Sequence, residues 1–191
     1  MDTTLEKRDI LNLTNDPFIR SILAPKEEIY LSCMITKYNR YGLKQNRSIL
    51  ITNMHCLNVS KQIINRKIDI IKIDAVTISQ SSKCTELIIH VKNEYDYRYI
   101  SPNYHSLIAV TIKKILKMKG QKIDFYMVPQ IKLKEYTTTK QDAPKGIFRR
   151  PLAEYLVPDN EEPPINIPPV VEDKKEPKVE EKKVEETKLE A

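Results

Sequence analysis

The 191-residue chain has no tryptophan, three glycines and three cysteines. Glycines at 42, 120 and 146 cannot build a glycine-rich phosphate cradle, and neither GxxxxGK[ST] nor GxGxxG occurs. GxSxG and HExxH are also absent. His55, His90 and His105 have no second ligand at metal spacing, so they are expected as strand, strand and helix-surface residues. The carboxylate pairs Asp69 with Asp74 and Glu94 with Asp96 flank turns, where solvated charge is expected. The reading is a non-enzyme with no cofactor and no metal. Cys33, Cys56 and Cys84 are odd in number and lie in or beside apolar runs, which predicts reduced, buried thiols and a reducing compartment. No apolar run of 18 residues exists and the N-terminal MDTTLEKRD has no apolar signal core, so a soluble, cytoplasmic protein is expected.

Acidic residues are missing from Thr36 to Thr52, and that absence marks the most informative stretch. Here IYLSCMIT and SILITNMHCLNV read as apolar strands, joined by the polar connection KYNRYGLKQNR with Gly42 near its middle to reverse the chain. The connection gathers Lys37, Arg40, Lys44 and Arg47 at one end of a sheet. Lys and Arg present donors that suit phosphate oxygens, Arg in a planar fork. Charge is also uneven along the chain. Residues 159–191 hold 11 acidic and 6 basic side chains, a net −5, so with +6 overall the first 158 residues carry +11. Such a body favours anionic membrane, nucleic acid or an acidic protein surface.

Taken in order, Asp16 before Pro17 caps a short helix to Leu23 that Pro25 stops, docked by Phe18, Ile19, Ile22 and Leu23. After the basic hairpin, His55 to Val59 completes an apolar run that is one bent strand or two. Lys61 to Lys67 reads as a polar turn. RKIDIIKIDAVTISQ returns Ile68, Ile70 and Ile73 to one face. Gln80 to Thr85 is a turn. In Glu86 to Val91, Leu87, Ile89 and Val91 share one face, with Ile88 and His90 on the other. Asn93 and Glu94 turn into YDYRYI, whose Tyr95, Tyr97 and Tyr99 share a face away from Arg98; core packing accounts for them, and nucleic acid is not expected. The period then changes. Ser101 and Pro102 open a helix in which Tyr104, Leu107, Ile108, Thr111, Ile112, Ile115 and Leu116 recur up to Gly120. Lys113, Lys114, Lys117 and Lys119 line its outer side, near the negative end of the dipole; the first three form a possible auxiliary basic patch.

This defines a mostly β fold with α: about seven short strands meander into a small barrel and one C-terminal helix caps it. The expected segments are an N-terminal extension (1–26), the folded domain (27–120), an extended wrapping arm with an added edge strand (121–157), and a low-complexity tail (158–191). Six of the 12 prolines fall from Pro158 onward, and the charged end has too few apolar residues to hold a helix, so a disordered tail is expected.

The order of elements, with cations in the first hairpin, resembles the pleckstrin-homology-like arrangement. More closely, KYNRYGLKQNRSILITNMHCLNV resembles the class I myosin tail-homology domain, and KIDIIKIDAVTIS, ELIIHV and the helix after YDYRYIS look like its middle and end. The resemblance covers about Asp16 to Lys119. It implies a membrane-binding tail module whose phosphoinositide signature has a lysine ending the first strand and a basic-x-arginine opening the second. Lys37 and Arg47 fall on those positions; Gln45, with Lys44 beside it, stands where the middle cation belongs. No nucleotide-binding loop accompanies it, so a module without a motor is expected.

Two functions follow. One is a peripheral membrane adaptor in which Lys37, Arg40, Lys44 and Arg47 bind a phosphoinositide headgroup. The other is a scaffold in a cytoskeletal or axonemal (ciliary) assembly whose arm grips neighbours, since acidic actin or tubulin would attract a +11 body as lipids would. A cation near an anionic leaflet contributes about 1 kcal/mol, so four give roughly millimolar binding, and useful affinity needs specific phosphate contacts or further basic patches.

Overall fold

A computed structural model of the chain describes residues 5–38, 43–159 and 161. Its elements, in order, are β1 (Arg8–Asp9), α1 (Pro17–Ile22), β2 (Ile29–Tyr38), β3 (Lys44–Thr52), β4 (His55–Ser60), β5 (Ile63–Asp69), β6 (Ile73–Ser79), β7 (Glu86–Val91), β8 (Tyr97–Ile100), α2 (His105–Met118) and β9 (Asp124–Val128). One sheet runs in the order β5-β4-β3-β2-β8-β7-β6-β9, with β1 added parallel to β2. The first strand of the meander therefore pairs with its last, through Thr36 with Ile100 and Lys37 with Tyr99. Seven strands followed by one helix make the fold pleckstrin-homology-like. The barrel expected from sequence is open, however, because β5 and β9 end the sheet and do not pair with each other.

Period-two alternation builds the core. Leu31, Cys33 and Ile35 of β2, Ile49 and Ile51 of β3, Cys56, Ile68, and Leu87, Ile89 and Val91 of β7 meet Leu107, Ile108, Ile112, Ile115 and Leu116 of α2 in one buried cluster. Cys33 and Cys56 lie inside it, and burial pushes both thiols up to about 12. All three cysteines are free.

Three corrections concern boundaries. The connection KYNRYGLKQNR is mostly strand, because β2 and β3 pair as far as Tyr38 with Lys44. Gly42 and Arg40 lie outside the described residues. The turn expected over 61–67 is confined to Lys61 and Gln62, both at positive φ (49° and 58°), the geometry of a two-residue hairpin turn, and β5 begins at Ile63. The capping helix starts at His105 rather than at Ser101, since residues 102–104 form a turn, although the Ser101 carbonyl still accepts from the His105 amide at 3.1 Å. Its end is set by Gly120 at φ 69°: the Gln121 amide bonds the Leu116 carbonyl at 2.9 Å and the Gly120 amide that of Lys117 at 3.0 Å.

Both outer faces of the sheet are covered. Asp16 accepts from the Ile19 amide at 3.0 Å and caps α1, whose Ile19 is buried against Ile29, Leu50, Leu57 and Val59. On the other side β9 pairs parallel with β6, and the chain after it buries Leu133 against Cys84, Ile88 and Val128.

Candidate functional site

Strand alternation decides which cations meet. Ile35 faces the core and stands opposite Arg47; two residues on, Lys37 stands opposite Gln45. Directly paired residues project to the same side, so Lys37 and Arg47 are diagonal neighbours on the inner face, at the mouth of the folded sheet. Asn58 of β4 is opposite Arg66 of β5 one step above the core pair Cys56 with Ile68, so Arg66 faces inward too. Tyr97 and Tyr99 complete this layer from β8. The interior thus changes from aliphatic to cationic within one pleat.

The layer is built around Arg66. Its guanidinium carbon lies 3.5 Å from the Tyr95 ring centroid and 3.7 Å from that of Tyr97, while the rings are 5.9 Å apart, which wedges the guanidinium between them. Arg66 Nη2 donates to Glu94 at 2.9 Å, and Nη1 is buried without a hydrogen-bond partner. Arg47 donates to the Asn46 carbonyl (2.8 Å) and to Gln45 Oε1 (3.1 Å), leaving a buried Nε unpartnered. Burial, then the charges of Arg47, Lys140 and Arg66, hold the Lys37 amine below its ordinary value. Lys140 comes from the arm, and its ammonium sits 4.7 Å from the Tyr95 ring. Among the described residues, Glu94 is the carboxylate that pairs in this layer, and it is shared with Lys72 at 3.6 Å. Partly buried cations gathered against their mutual repulsion can coordinate an anion of several charges.

The cations expected from sequence to bind do not all converge. Lys44 pairs with Tyr38 and, by alternation from Arg47, faces the outer side, where it is exposed. Lys113 is half-buried on α2, 5.5 Å from the Phe125 ring, and donates to the Glu161 carbonyl at 3.2 Å; Lys114 is half-buried and Lys117 exposed. Arg66 and Lys140 carry no mark in the sequence that sets them apart from other cations.

A second polar cluster occupies the opposite face of β7 and β8. Asp96, expected to be a solvated turn residue, is buried. Its carboxylate lies 2.9 Å from His90 Nδ1 and accepts from the Thr138 amide at 2.8 Å, the Val91 amide at 3.3 Å and Arg150 Nη1 at 3.5 Å. Arg150 also donates to Asp74 at 3.1 Å, and His90 Nε2 lies 2.8 Å from the Thr77 hydroxyl. His90 Nδ1 faces both a group that only accepts, the Asp96 carboxylate, and one that only donates, Arg150 Nη1 at 3.0 Å; burial holds His90 below its ordinary value despite Asp96, with Arg150 adding to the effect. This cluster clamps the arm. His90 is the strand residue expected from sequence, and it is a buried anchor. His55 Nδ1 is similarly fixed, 2.8 Å from Glu27, whose carboxyl burial would raise but which hydrogen bonds from Thr52, Ala24 and His55 hold below its ordinary value.

A pleckstrin-homology-like sheet with a cationic mouth defines a binding module. A family profile described as unconventional myosin tail, actin- and lipid-binding, matches residues 7–146, and the chain belongs to that family. The match extends past the resemblance read from sequence at both ends, taking in β1 and the arm through Gly146. No curated protein is detectably similar in sequence. Among solved structures the chain is similar to the hSac2 domain of the human phosphoinositide phosphatase Sac2 (10% identity, TM-score 0.48, covering 63% of this chain and 87% of that one). It is also similar to the linker-DH/PH domains of p115-RhoGEF (8% identity, TM-score 0.43, 59% and 37%) and to the Slm1 PH domain (7% identity, TM-score 0.38, 46% and 96%). No helix among the described residues is long and apolar enough to cross a membrane.

Proposed function

We propose that the chain is a peripheral membrane module that binds phosphoinositide headgroups at the inner mouth of its sheet, with Lys37 and Arg47 as primary ligands of the phosphates. One observation carries the reading: these two cations are adjacent and partly buried, and no carboxylate among the described residues is paired with either. Charge-assisted bonds from Lys and Arg to phosphate supply the affinity that diffuse attraction cannot. Arg40 and Lys44, also read from sequence as ligands, are secondary here: the first is outside the described residues and the second faces away. The family's description as lipid-binding supports the reading. Co-sedimentation with vesicles containing phosphatidylinositol bisphosphate tests it. Lys37→Ala with Arg47→Ala is expected to abolish binding without lowering the melting temperature; retained binding rejects the site.

A second reading, a cytoskeletal scaffold, is favoured by the actin-binding half of that description and by exposed Ile147 (46%), Phe148 (42%) and Leu152 (64%) on the arm. Co-sedimentation with actin filaments and with microtubules checks it. Loss of filament binding in Phe148→Ser with Leu152→Ser, but not in the mouth variant, is the expected result. A cytoplasmic protein at the membrane or on the cytoskeleton, ciliary or otherwise, fits both.

A further inference from the structure

We propose that the arm following α2 is part of the anion site: Lys140 is a fourth ligand of a polyphosphorylated inositol headgroup, delivered to the mouth by the clamp at Asp96. The inference rests on the headgroup reading above and adds a residue from outside the sheet and its capping helix.

The geometry begins with the clamp. Asp96 and Thr138 are bonded reciprocally, the Asp96 amide to the Thr138 carbonyl at 2.9 Å and the Thr138 amide to the Asp96 carboxylate at 2.8 Å. Thr138 is fully buried, and its hydroxyl accepts from the Arg149 amide at 2.9 Å, which ties both ends of the loop together. Between these ties the chain makes a turn: the Asp142 amide bonds the Thr139 carbonyl at 3.1 Å, and the Thr139 hydroxyl donates to the Asp142 carboxylate at 2.8 Å. Lys140 is the exposed second residue of that turn, two positions from a buried anchor. Asp142 is the turn's own carboxylate, and it is held by Arg149 at 3.3 Å.

The position reached is next to the site. Lys140 stands 4.7 Å from the Tyr95 ring, and Tyr95 carries the Arg66 guanidinium at 3.5 Å. Lys140 is also among the charges that disfavour the charged form of Lys37. Lys37 thus feels Arg47, Lys140 and Arg66 together. A fixed loop that adds a cation to an existing cationic cluster works against folding unless an anion is gathered there. Gln45 leaves the hairpin short of a cation, and Lys140 and Arg66 restore the count from other elements. One phosphomonoester, at about −2, does not balance four cations, so the ligand class is an inositol ring bearing several phosphomonoesters, either on a lipid or free.

The test uses the full chain, with inositol hexakisphosphate titrated by calorimetry and vesicles containing phosphatidylinositol bisphosphate. Lys140→Ala is expected to weaken both by about fivefold or more; Lys145→Ala, an exposed lysine of the same arm, changes either by less than about twofold. Equal affinities for the two variants, or loss on vesicles alone, overturn the role of Lys140 in the site. If Lys37→Ala with Arg47→Ala binds as the unaltered chain does, the headgroup reading itself fails; if that variant is inactive and Lys140→Ala is normal, only the arm is wrong. Unchanged far-ultraviolet circular dichroism of Lys140→Ala excludes unfolding as the cause.

Discussion

Tyr95, Asp96 and Tyr97 are consecutive, yet they serve two electrostatic regimes on opposite faces of one hairpin. On the outer face Asp96 sits among His90, Thr138 and Arg150, with Asp74 completing the charge balance. On the inner face Tyr95 and Tyr97 hold Arg66 beside Lys37, Arg47 and Lys140, with Glu94 as the paired carboxylate. Buried charge that is neutralised and hydrogen-bonded holds a structure together; partly buried charge left in excess costs stability. The difference separates a clamp from the site proposed for the headgroup.

The comparison breaks most severely at Asp96. Removing one partner of a buried ionic cluster leaves the others uncompensated, at about 3–5 kcal/mol. Asp96→Asn is therefore expected to lower the melting temperature by roughly 10 °C, read by thermal circular dichroism, and to expose the arm to protease near Thr138. A fall of less than about 2 °C would mean that the cluster is not a clamp. The inner face responds in the opposite sense. Lys37→Met keeps the aliphatic stem and removes a charge that its surroundings oppose. It is expected to raise the melting temperature by roughly 1–3 °C while weakening headgroup binding at least about tenfold. A variant less stable than the parent would show that the mouth is compensated after all.

Acid separates the two regions further. His90 is held neutral below its ordinary value by burial, so the unfolded chain takes up the proton first. Stability is whole above about pH 6.5 and falls as pH drops from there toward the folded value, by at most about 1.4 kcal/mol per pH unit. Burial raises Glu27 and Asp9, but hydrogen bonds, led by those from Thr52 and Ser32 respectively, leave both below their ordinary values, and their contribution is lost only at lower pH. Urea unfolding between pH 7 and pH 5 is expected to slope in the parent and to slope less in His90→Gln, where His105, also held below its ordinary value by burial, remains; equal slopes would remove His90 from the account.

Much of this was legible in the sequence. Alternation gave the tyrosine face and the core of β7, because period two survives wherever one face is buried. It failed where a strand runs past the core. Lys37 and Arg47 read as loop because their inward neighbours are polar at the mouth, although hydrogen bonding continues to Tyr38 and Lys44. Arg66 was lost in a supposed turn, because a register shift beside it breaks the period: Ile68 lies in the main core, whereas Ile64 packs with Leu57 and Val59 on the outer face. Asp96 and Lys140 carried no local signal: the first is buried only because the arm returns over it, and the second is placed by a contact 42 residues away in sequence, Asp96 with Thr138.

The smallest effect tests which face binds. Lys44 lies in the same basic stretch as Lys37 and Arg47, and sequence alone treats the three alike. Its exposed, outward position gives it only diffuse attraction to a negatively charged leaflet, at most about 1 kcal/mol, and screened beyond about 8 Å at physiological salt. Lys44→Ala should then cost at most about fivefold on vesicles, a loss that shrinks as salt rises, and nothing measurable toward soluble inositol hexakisphosphate. Lys37→Ala should cost more on both and keep most of its effect in salt, because partly buried contacts are screened less. If the two lysines prove interchangeable, the hairpin binds as a charged surface, and the inner mouth with its ladder of Arg66, Tyr95 and Lys140 is bystander structure. If they separate, the strand register between Ile35 and Arg47 is what selects the ligand-facing side.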